Sequence, residues 1–179
     1  EIQEQDDASS VTGHLRNAAR MMAALAELID VEAQIALVEH SALGIILADE
    51  LARRGAEVIV LVDSNSNHDS QSLHKQVDVS DVAALARSID ELTAGRGAAI
   101  LAVNAAAWQR TWGWSQLAAG GTLIDLQDSN QPFALPIQAA KVIKTSLPVL
   151  INSPNALRRA IEGAIEMIRE ERLGSANCL

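Results

Sequence analysis

Tyrosine is absent from this sequence, and cysteine occurs only once, as Cys178. A single cysteine cannot form a disulfide or a four-cysteine zinc site within the chain. No apolar run reaches the roughly 18 residues that a membrane-spanning helix needs, and the acidic, polar start EIQEQDDASS does not resemble a signal peptide. We therefore expect a protein of the reducing cytoplasm that has no membrane segment.

Positive charge is also scarce. The chain has 14 lysine and arginine residues against 23 acidic ones, which gives a net charge of -9. Basic residues occur at most in pairs, such as Arg53 and Arg54, and these follow Asp49 and Glu50 closely. Because proteins that bind nucleic acids need a basic surface, we do not expect a nucleic acid as a partner.

Hydrophobic residues make up 49% of the chain, and short apolar runs alternate with amphipathic segments. This alternation is typical of a parallel sheet that is covered by helices on both faces. The predicted strands are 35–38, 57–62, 74–79, 99–103, 122–126 and 145–151. The predicted helices are 14–29, 43–54, 80–92 with Ser80 as its N-cap, 105–118 with all three tryptophans, and a last helix that begins after Ser153 and Pro154.

These elements predict a doubly wound α/β fold of the Rossmann type, with about six parallel strands in the order 3-2-1-4-5-6. The pattern fills 15–173, which we expect to form a single Rossmann-like domain. Residues 1–14 are expected to be a flexible lead-in or linker, and residues 174–179 a tail.

The turn after the first strand, EHSALG, carries a single glycine, Gly44. A dinucleotide-binding turn uses three glycines: one for the bend, one for the approach of the pyrophosphate and one for packing of helix on strand. Gly44 suits the packing role, whereas Glu39, His40 and Ser41 occupy positions that would face phosphate. We expect the carboxylate of Glu39 to oppose a diphosphate there.

Asp63 is the main feature in favour of a cofactor. It lies 19 residues after Gly44, at the end of the second predicted strand, close to the spacing expected for an acid that binds a ribose. The alternative is an ordinary loop acid that caps a turn. Because no arginine follows closely, this position favours NAD over NADP if a dinucleotide binds.

The remaining candidates for chemistry are weak. His40 has no identifiable partner to orient it as a base, and Ser41 lacks the G-x-S-x-G surround of a nucleophile elbow. Asp125 and Asp128 lie at the carboxyl end of the fifth predicted strand, where paired acids are commonly solvated. We therefore predict no catalytic residue.

A metal site is not expected either. His68, Asp69 and His74 lie in or beside the polar segment DSNSNHDSQS. Metal ligands need to converge from rigid elements, and this loop offers none.

Three stretches carry a resemblance to a known family: ALVEHSALG followed by LARRGAEVIVLV, then ELTAGRGAAILAVNAAA, then WSQLAAGGTLIDLQDSN. Over about 15–170 the chain resembles the cofactor domain of medium-chain dehydrogenase/reductases, most of all the enoylreductase domains of polyketide and fatty-acid synthases. The resemblance implies a Rossmann fold, NAD(P)H as cofactor, and Ser41, Gly44 and Asp63 as the positions that would contact it.

The chain departs from this family in its functional positions. The first turn keeps one glycine, and Gln127 and Asp128 stand where the enoylreductases usually have a glycine and a lysine proposed to transfer a proton. The chain also has no segment for the barrel-like domain that forms much of the substrate pocket in that family.

A second resemblance, to short-chain reductases and synthase ketoreductases, rests on LARRGAEVIVL, DVSDVAALA and VNAAA. It implies that Asn104, after the fourth strand, lies near a cofactor. The chemistry of that family uses a Tyr-x-x-x-Lys pair, so the absence of tyrosine excludes an active short-chain reductase. A structural subdomain of a ketoreductase stays open.

The tryptophans Trp108, Trp112 and Trp114 either fill the core or form a partner surface, since tryptophan is enriched at interfaces. The apolar segment 131–151 also suits an interface, and the enoylreductase relatives often pair across a dimer here. The resemblance therefore implies other domains of a multidomain synthase as partners, with a homodimer as a further option.

Taken together, the sequence favours a catalytically inactive, enoylreductase-like domain that serves as a scaffold or docking element and binds no cofactor. The first alternative is the NAD(P)H-binding half of an active medium-chain enoyl reductase, with NAD or NADP bound. The others are a structural subdomain of a ketoreductase, and a module that uses the cleft for a small ligand or an acyl carrier.

Overall fold

The computed structural model describes residues 13, 16–28, 30–63, 74–127, 131–146, 155, 158, 161–163 and 165. Within this part of the chain, six strands form one sheet. The strands are β1 (Ile35–Glu39), β2 (Glu57–Val62), β3 (Lys75–Asp78), β4 (Ala98–Val103), β5 (Leu117–Asp125) and β6 (Ala139–Lys144). The helices are α1 (16–26), α2 (Ala42–Arg53), α3 (Val82–Thr93) and α4 (Ala105–Thr111).

All strand pairs are parallel, and the strand order is β3-β2-β1-β4-β5-β6. This confirms the predicted doubly wound topology and its strand order. The reason is visible in β2, EVIVLV, whose four central residues are all buried. A strand that is apolar at successive positions must be covered on both faces, and only parallel sheets with helices on each side do this regularly.

Two apolar cores lie on the two faces of the sheet. One contains residues of α1 and α2 packed on Ala36 and Val38 of β1. The other contains residues of α3 and α4 packed on Leu37, which points to the opposite face because side chains alternate along a strand. The expectation of helices on both faces is therefore confirmed.

The helix ends follow from local side chains. Helix α2 begins at the N-cap Ser41 and ends before Gly55, which has a φ of 87°. Glycine adopts this left-handed conformation without the steric cost of a side chain. The predicted cap of α3 is wrong by one residue, because Asp81 rather than Ser80 accepts hydrogen bonds from the amides of Ala83 and Ala84.

The tryptophan helix is shorter than the predicted 105–118. Helix α4 ends at Thr111, Trp112 is its C-cap, and Gly113 turns the chain with a φ of 68°. Trp114 therefore lies beyond the helix, so the prediction that all three tryptophans share one helix is wrong.

The sixth strand also differs from the prediction of 145–151. It is β6, AAKVIK, which forms one edge of the sheet. An edge strand needs no continuous apolar run, and its lysines suit an edge that faces solvent. Of the predicted strand 145–151, the first two residues lie beyond the end of β6, and 147–151 lie outside the described residues. Thr145 and Ser146 are buried beyond the end of β6.

Several predictions fall on parts of the chain outside the described residues. These are the lead-in 1–14 apart from the helical Gly13, the cap at Ser153 and Pro154, and the tail 174–179. Residues 155, 158, 161–163 and 165 are helical, in agreement with a last helix. Across the described ranges, no helix is both long and apolar enough to cross a membrane.

Candidate functional site

Three of the four residues predicted to contact a cofactor lie directly after strands, at one edge of the sheet. Ser41 lies two residues after β1, Asp63 follows β2, and Asn104 follows β4. Because the strands are parallel, their carboxyl ends share this edge. The chain leaves β1 and β4 toward opposite faces of the sheet, and doubly wound folds bind ligands at such a divergence.

The fourth residue, Gly44, lies in the first turn of α2. A Cβ atom built on it would lie 2.0 Å from the carbonyl oxygen of Glu39. Its amide donates to the Oγ atom of Ser41 at 3.0 Å, which satisfies the cap of the helix. Gly44 therefore lets α2 approach β1 closely, which confirms the packing role assigned to it.

Glu39 lies at the end of β1. Its Oε2 atom accepts a hydrogen bond from the backbone amide of Asn104, at the end of β4. The carboxylate thus spans the gap between the two strands. The repulsion of a diphosphate by this carboxylate stays a prediction. A half-buried side chain occupies the gap at which the two strands diverge.

The surroundings of Glu39 disfavour its charge. Burial raises the pKa of Glu39 above its ordinary value of 4.5, the hydrogen bond from Asn104 lowers it, and the negative charge of Asp125 raises it. The net direction is upward. Burial dominates because the low-dielectric interior stabilises a carboxylate less well than water does.

This shift predicts a dependence of stability on pH. Between the ordinary and the raised pKa of Glu39, the native state binds more protons than the unfolded chain, so the free energy of unfolding falls as pH rises. We expect Glu39→Gln to keep the hydrogen bond to Asn104 without this loss. Its stability relative to the parent should increase as pH rises from 4.5 through the raised pKa. Urea denaturation at a series of pH values measures it, and a constant difference would contradict the assignment.

Asp125, at the end of β5, is buried, with 2% of its surface exposed. Its Oδ1 atom accepts from the amides of Ala105 at 3.1 Å and Gln127 at 3.3 Å, and its Oδ2 atom accepts from Gln127 Nε2 at 2.6 Å. The expectation of a solvated acid pair is therefore wrong for Asp125. Its pair member Asp128 lies outside the described residues.

Asn104 and Asp63 are the other two predicted cofactor contacts at this edge. The side chain of Asn104 caps α4 by accepting from the amide of Ala107 at 3.2 Å, while its own amide binds Glu39. Asp63 is exposed at the same edge. Its position suits both a ribose-binding acid and an ordinary loop acid, so the two interpretations stay as alternatives.

The histidines do not form a metal site within the described ranges. His74 Nε2 lies 2.8 Å from Asp49 Oδ1, which joins the start of β3 to α2. No group of three or more histidine, cysteine or acidic side chains in the described part of the chain has the geometry to hold a metal ion. His68 and Asp69 lie outside that part.

The tryptophans pack mainly on the core beside β4 and β5. Trp108 and Trp112 are stacked with ring centroids 4.5 Å apart, and Trp108 is only 3% exposed. Trp114 contacts Phe133 at a centroid distance of 6.0 Å. Of the two interpretations of these residues, this arrangement favours core filling.

Arg20 is a buried residue of this edge that sequence reasoning missed. It extends from α1 and donates four hydrogen bonds: to the carbonyl oxygens of Leu126, Gln127 and Thr145, and to Thr145 Oγ1. The guanidinium thereby joins the ends of β5 and β6. Its partners lie more than 100 residues away in sequence, and no local signal marks them.

One cavity of the described residues lies away from this edge. A cavity of about 350 Å³ is lined by Glu27, Gln34, Ala118 and Lys141 among others, at the amino ends of the strands. Its lysine is already paired, because Lys141 Nζ lies 2.8 Å from Glu27 Oε2. The candidate site is therefore defined by its polar groups and its position in the fold, and this cavity belongs to the opposite edge.

The described residues form a Rossmann-type domain, similar in fold to a solved nucleotide-binding subdomain of an enoylreductase domain and to solved quinone oxidoreductases. No protein-family model matches the chain, and no curated protein does. The predicted resemblance to the medium-chain cofactor domain is thus confirmed at the level of fold by solved structures alone.

Three of these structures illustrate the similarity. The nucleotide-binding subdomain of the enoylreductase domain of PpsC from Mycobacterium tuberculosis is 21% identical with a TM-score of 0.65, over 88% of this chain and 96% of that one. An enoyl reductase domain ascribed to a polyketide synthase is 20% identical with a TM-score of 0.64, over 89% and 93%. A mycobacterial quinone oxidoreductase is 20% identical with a TM-score of 0.64, over 88% of this chain. The chain spans only 52% of that last protein.

Proposed function

We propose that this chain is a catalytically inactive, enoylreductase-like domain that binds no dinucleotide and serves as a scaffold or docking element of a polyketide-synthase-like multidomain enzyme. The observation that carries the proposal is the contact between Glu39 and the amide of Asn104. This contact places a half-buried carboxylate in the gap between β1 and β4, where the chain leaves the sheet toward opposite faces and doubly wound folds bind their ligands.

The chemistry of the edge supports the same proposal. The amides that begin α4 donate to Glu39 and Asp125, and the sequence has no tyrosine to donate a proton. Gln127, at the end of β5, donates to Asp125, so its amide serves the internal network of the domain.

A surface at one end of the sheet supports the docking role. Leu135 and Ile137 are 64% and 102% exposed, directly before the edge strand β6. The segment that carries them is held in place, because Gln109 Oε1 accepts from the amide of Ala134 at 2.8 Å. Ordered, exposed apolar side chains beside an open strand edge suit contact with a partner domain or a second copy of the chain.

The second candidate is the NAD(P)H-binding half of an active enoyl reductase. Asp63 favours it, since an acid at the end of β2 is placed to accept from a ribose hydroxyl. The N-cap Ser41 and the start of α2 would then face the pyrophosphate, with Asn104 close to the far end of the cofactor. A ketoreductase subdomain has less support, because the three similar structures described above are two enoylreductase domains and a quinone oxidoreductase.

A titration separates the two candidates. The melting temperature and tryptophan fluorescence are followed with NADH and NADPH up to millimolar concentration. We expect no saturable change, whereas a ligand at 100 times its Kd would stabilise the fold by about 2.7 kcal/mol. Saturable stabilisation that Asp63→Ala weakens would contradict the proposal and establish the reductase half. Stabilisation by neighbouring synthase domains, without cofactor, is the result expected of a docking element.

A further inference from the structure

The segment 131–138, which we call the strap, precedes β6 and contains neither helix nor strand. Its apolar side chains Leu135 and Ile137 are mainly exposed, so they contribute little to the core. A segment with few buried apolar contacts opens at a lower free energy than the whole domain. The hydrogen bonds that hold the strap therefore decide how often it leaves its place.

Three glutamine side chains anchor the strap, one near each end and one in the middle. The three contacts are Gln127 Nε2 to the carbonyl oxygen of Gln131 at 3.1 Å, the amide of Ala134 to Gln109 Oε1 at 2.8 Å, and Gln138 Nε2 to the carbonyl oxygen of Trp114 at 2.6 Å.

Gln127 is the anchor that also belongs to the candidate site. Its Nε2 atom donates to Asp125 Oδ2 at 2.6 Å as well as to the strap, so both N–H groups of the amide are in use. Its Oε1 atom is buried without a hydrogen-bond partner among the described residues. The two donations alone therefore decide the orientation of this side chain. Arg20 holds the backbone in place, because it donates to the carbonyl oxygen of Gln127 at 2.9 Å.

Loss of the strap changes what this side chain can do. Gln127 is only 4% exposed, and the N–H group that served Gln131 would be left without an acceptor, which is costly for a buried donor. The side chain lowers this cost by turning toward the water that replaces the strap. The same turn takes its other N–H group away from Asp125. Asp125 Oδ1 accepts from the amide of Ala105 at 3.1 Å, so the disturbance reaches the start of α4.

We propose that the strap opens as a unit, and that Gln127 transmits this opening to Asp125 and to the amide of Ala105. Gln127 is thus a positioning residue with two arrangements, one for each state of the strap. This coupling rests on the hydrogen bonds alone. Its use in docking rests on the proposed function: a partner domain that covers Leu135 and Ile137 keeps the strap closed and the polar network of the candidate site intact.

Amide hydrogen exchange, followed by NMR, tests the coupling. Gln138→Met removes the anchor at the end of the strap that lies away from Gln127. We expect exchange at Ala134 to accelerate about fivefold, the effect of losing one hydrogen bond, and exchange at Ala105 to accelerate by the same factor.

Gln127→Met supplies the second background. Adding Gln138→Met to it should still accelerate exchange at Ala134, but exchange at Ala105 should stay as it is in Gln127→Met alone. The matched control is Gln76→Met, on β3 at the opposite edge of the sheet, which should change neither rate.

Acceleration at Ala134 without a change at Ala105 would overturn the coupling, and so would an equal response of Ala105 in both backgrounds. An unchanged rate at Ala134 in Gln138→Met would overturn the opening of the strap. If Gln127→Met does not fold, the side-chain protons of Gln127 carry the comparison: their exchange in Gln138→Met should accelerate with that of Ala134, and an unchanged rate would refute the coupling. The proposed function fails separately, by saturable binding of NADH or NADPH in the titration above.

Discussion

Replacing Gly44 by alanine is expected to destabilise the domain by about 3 kcal/mol or more, at the upper end of the range for overpacked sites. The added Cβ atom would lie 2.0 Å from the carbonyl oxygen of Glu39. That oxygen belongs to the backbone of β1, so it cannot rotate away as a side chain would. Relief requires α2 to move away from β1, and this movement would disturb the packing of Leu43 and Leu47.

The matched control is Gly13→Ala. Gly13 is helical, and a Cβ atom there would meet nothing within 4 Å. Alanine is favoured over glycine in helices by up to about 1 kcal/mol, so this variant should be neutral or slightly more stable. Chemical denaturation of both variants measures the difference. If Gly44→Ala were as stable as Gly13→Ala, the close packing of α2 on β1 would be refuted.

Replacing Arg20 by methionine is expected to destabilise the domain by about 2–4 kcal/mol. The methionine fills much of the volume but donates nothing, so the carbonyl oxygens of Leu126, Gln127 and Thr145 lose a buried donor. Each unsatisfied buried polar group costs about 1–3 kcal/mol. The methionine also removes the cost of burying the guanidinium charge, which offsets part of this loss of stability. Amide exchange should accelerate at Thr145, whose amide donates to the backbone carbonyl oxygen of Asp125 at 3.3 Å.

Arg53→Met provides the comparison. Arg53 is 47% exposed and contacts Glu50 at 3.5 Å, so its removal should change stability by less than about 1 kcal/mol. Equal losses in the two arginine variants would mean that Arg20 does not join β5 to β6.

The bounds of some strands and helices were predictable from the sequence, because neighbouring residues determine them. The bounds of β2 follow from an uninterrupted apolar run, and the end of α2 follows from Gly55. The packing role of Gly44 was predictable as well, because its position in the turn places it where α2 packs on β1. In each case the cause lies within a few residues of its effect.

The errors arose where distant parts of the chain decide the structure. β6 lies at an edge of the sheet, so its sequence need not be apolar. The sixth strand was therefore predicted at the more apolar segment 145–151. Two adjacent residues, Ser80 and Asp81, are both suitable N-caps for α3. The local sequence does not decide between them. The contact of Glu39 with Asn104 was missed rather than mispredicted, because its partner lies 65 residues away. It follows only from the adjacency of β1 and β4 in the sheet.

Because its contact partner is distant in sequence, the role of Glu39 in the structure differs from the role that the sequence indicates. The sequence marks Glu39 as an obstacle to phosphate, through its charge at a helix start. The structure makes it a bridge between two strand ends, joined to Asp125 through consecutive amides. Under the proposed function, the side chain that occupies this gap is the reason why no dinucleotide binds.

The most direct measurement is an NMR titration of the labelled domain with NADPH and NADH, observing the amides of residues 42–44 and 104–105. We predict no saturable shift at these amides at millimolar cofactor, because Glu39 and Asp125 retain their hydrogen bonds with α4. Saturable shifts at 42–44, together with displacement of Glu39 from Asn104, would contradict the account and identify the domain as a working cofactor site.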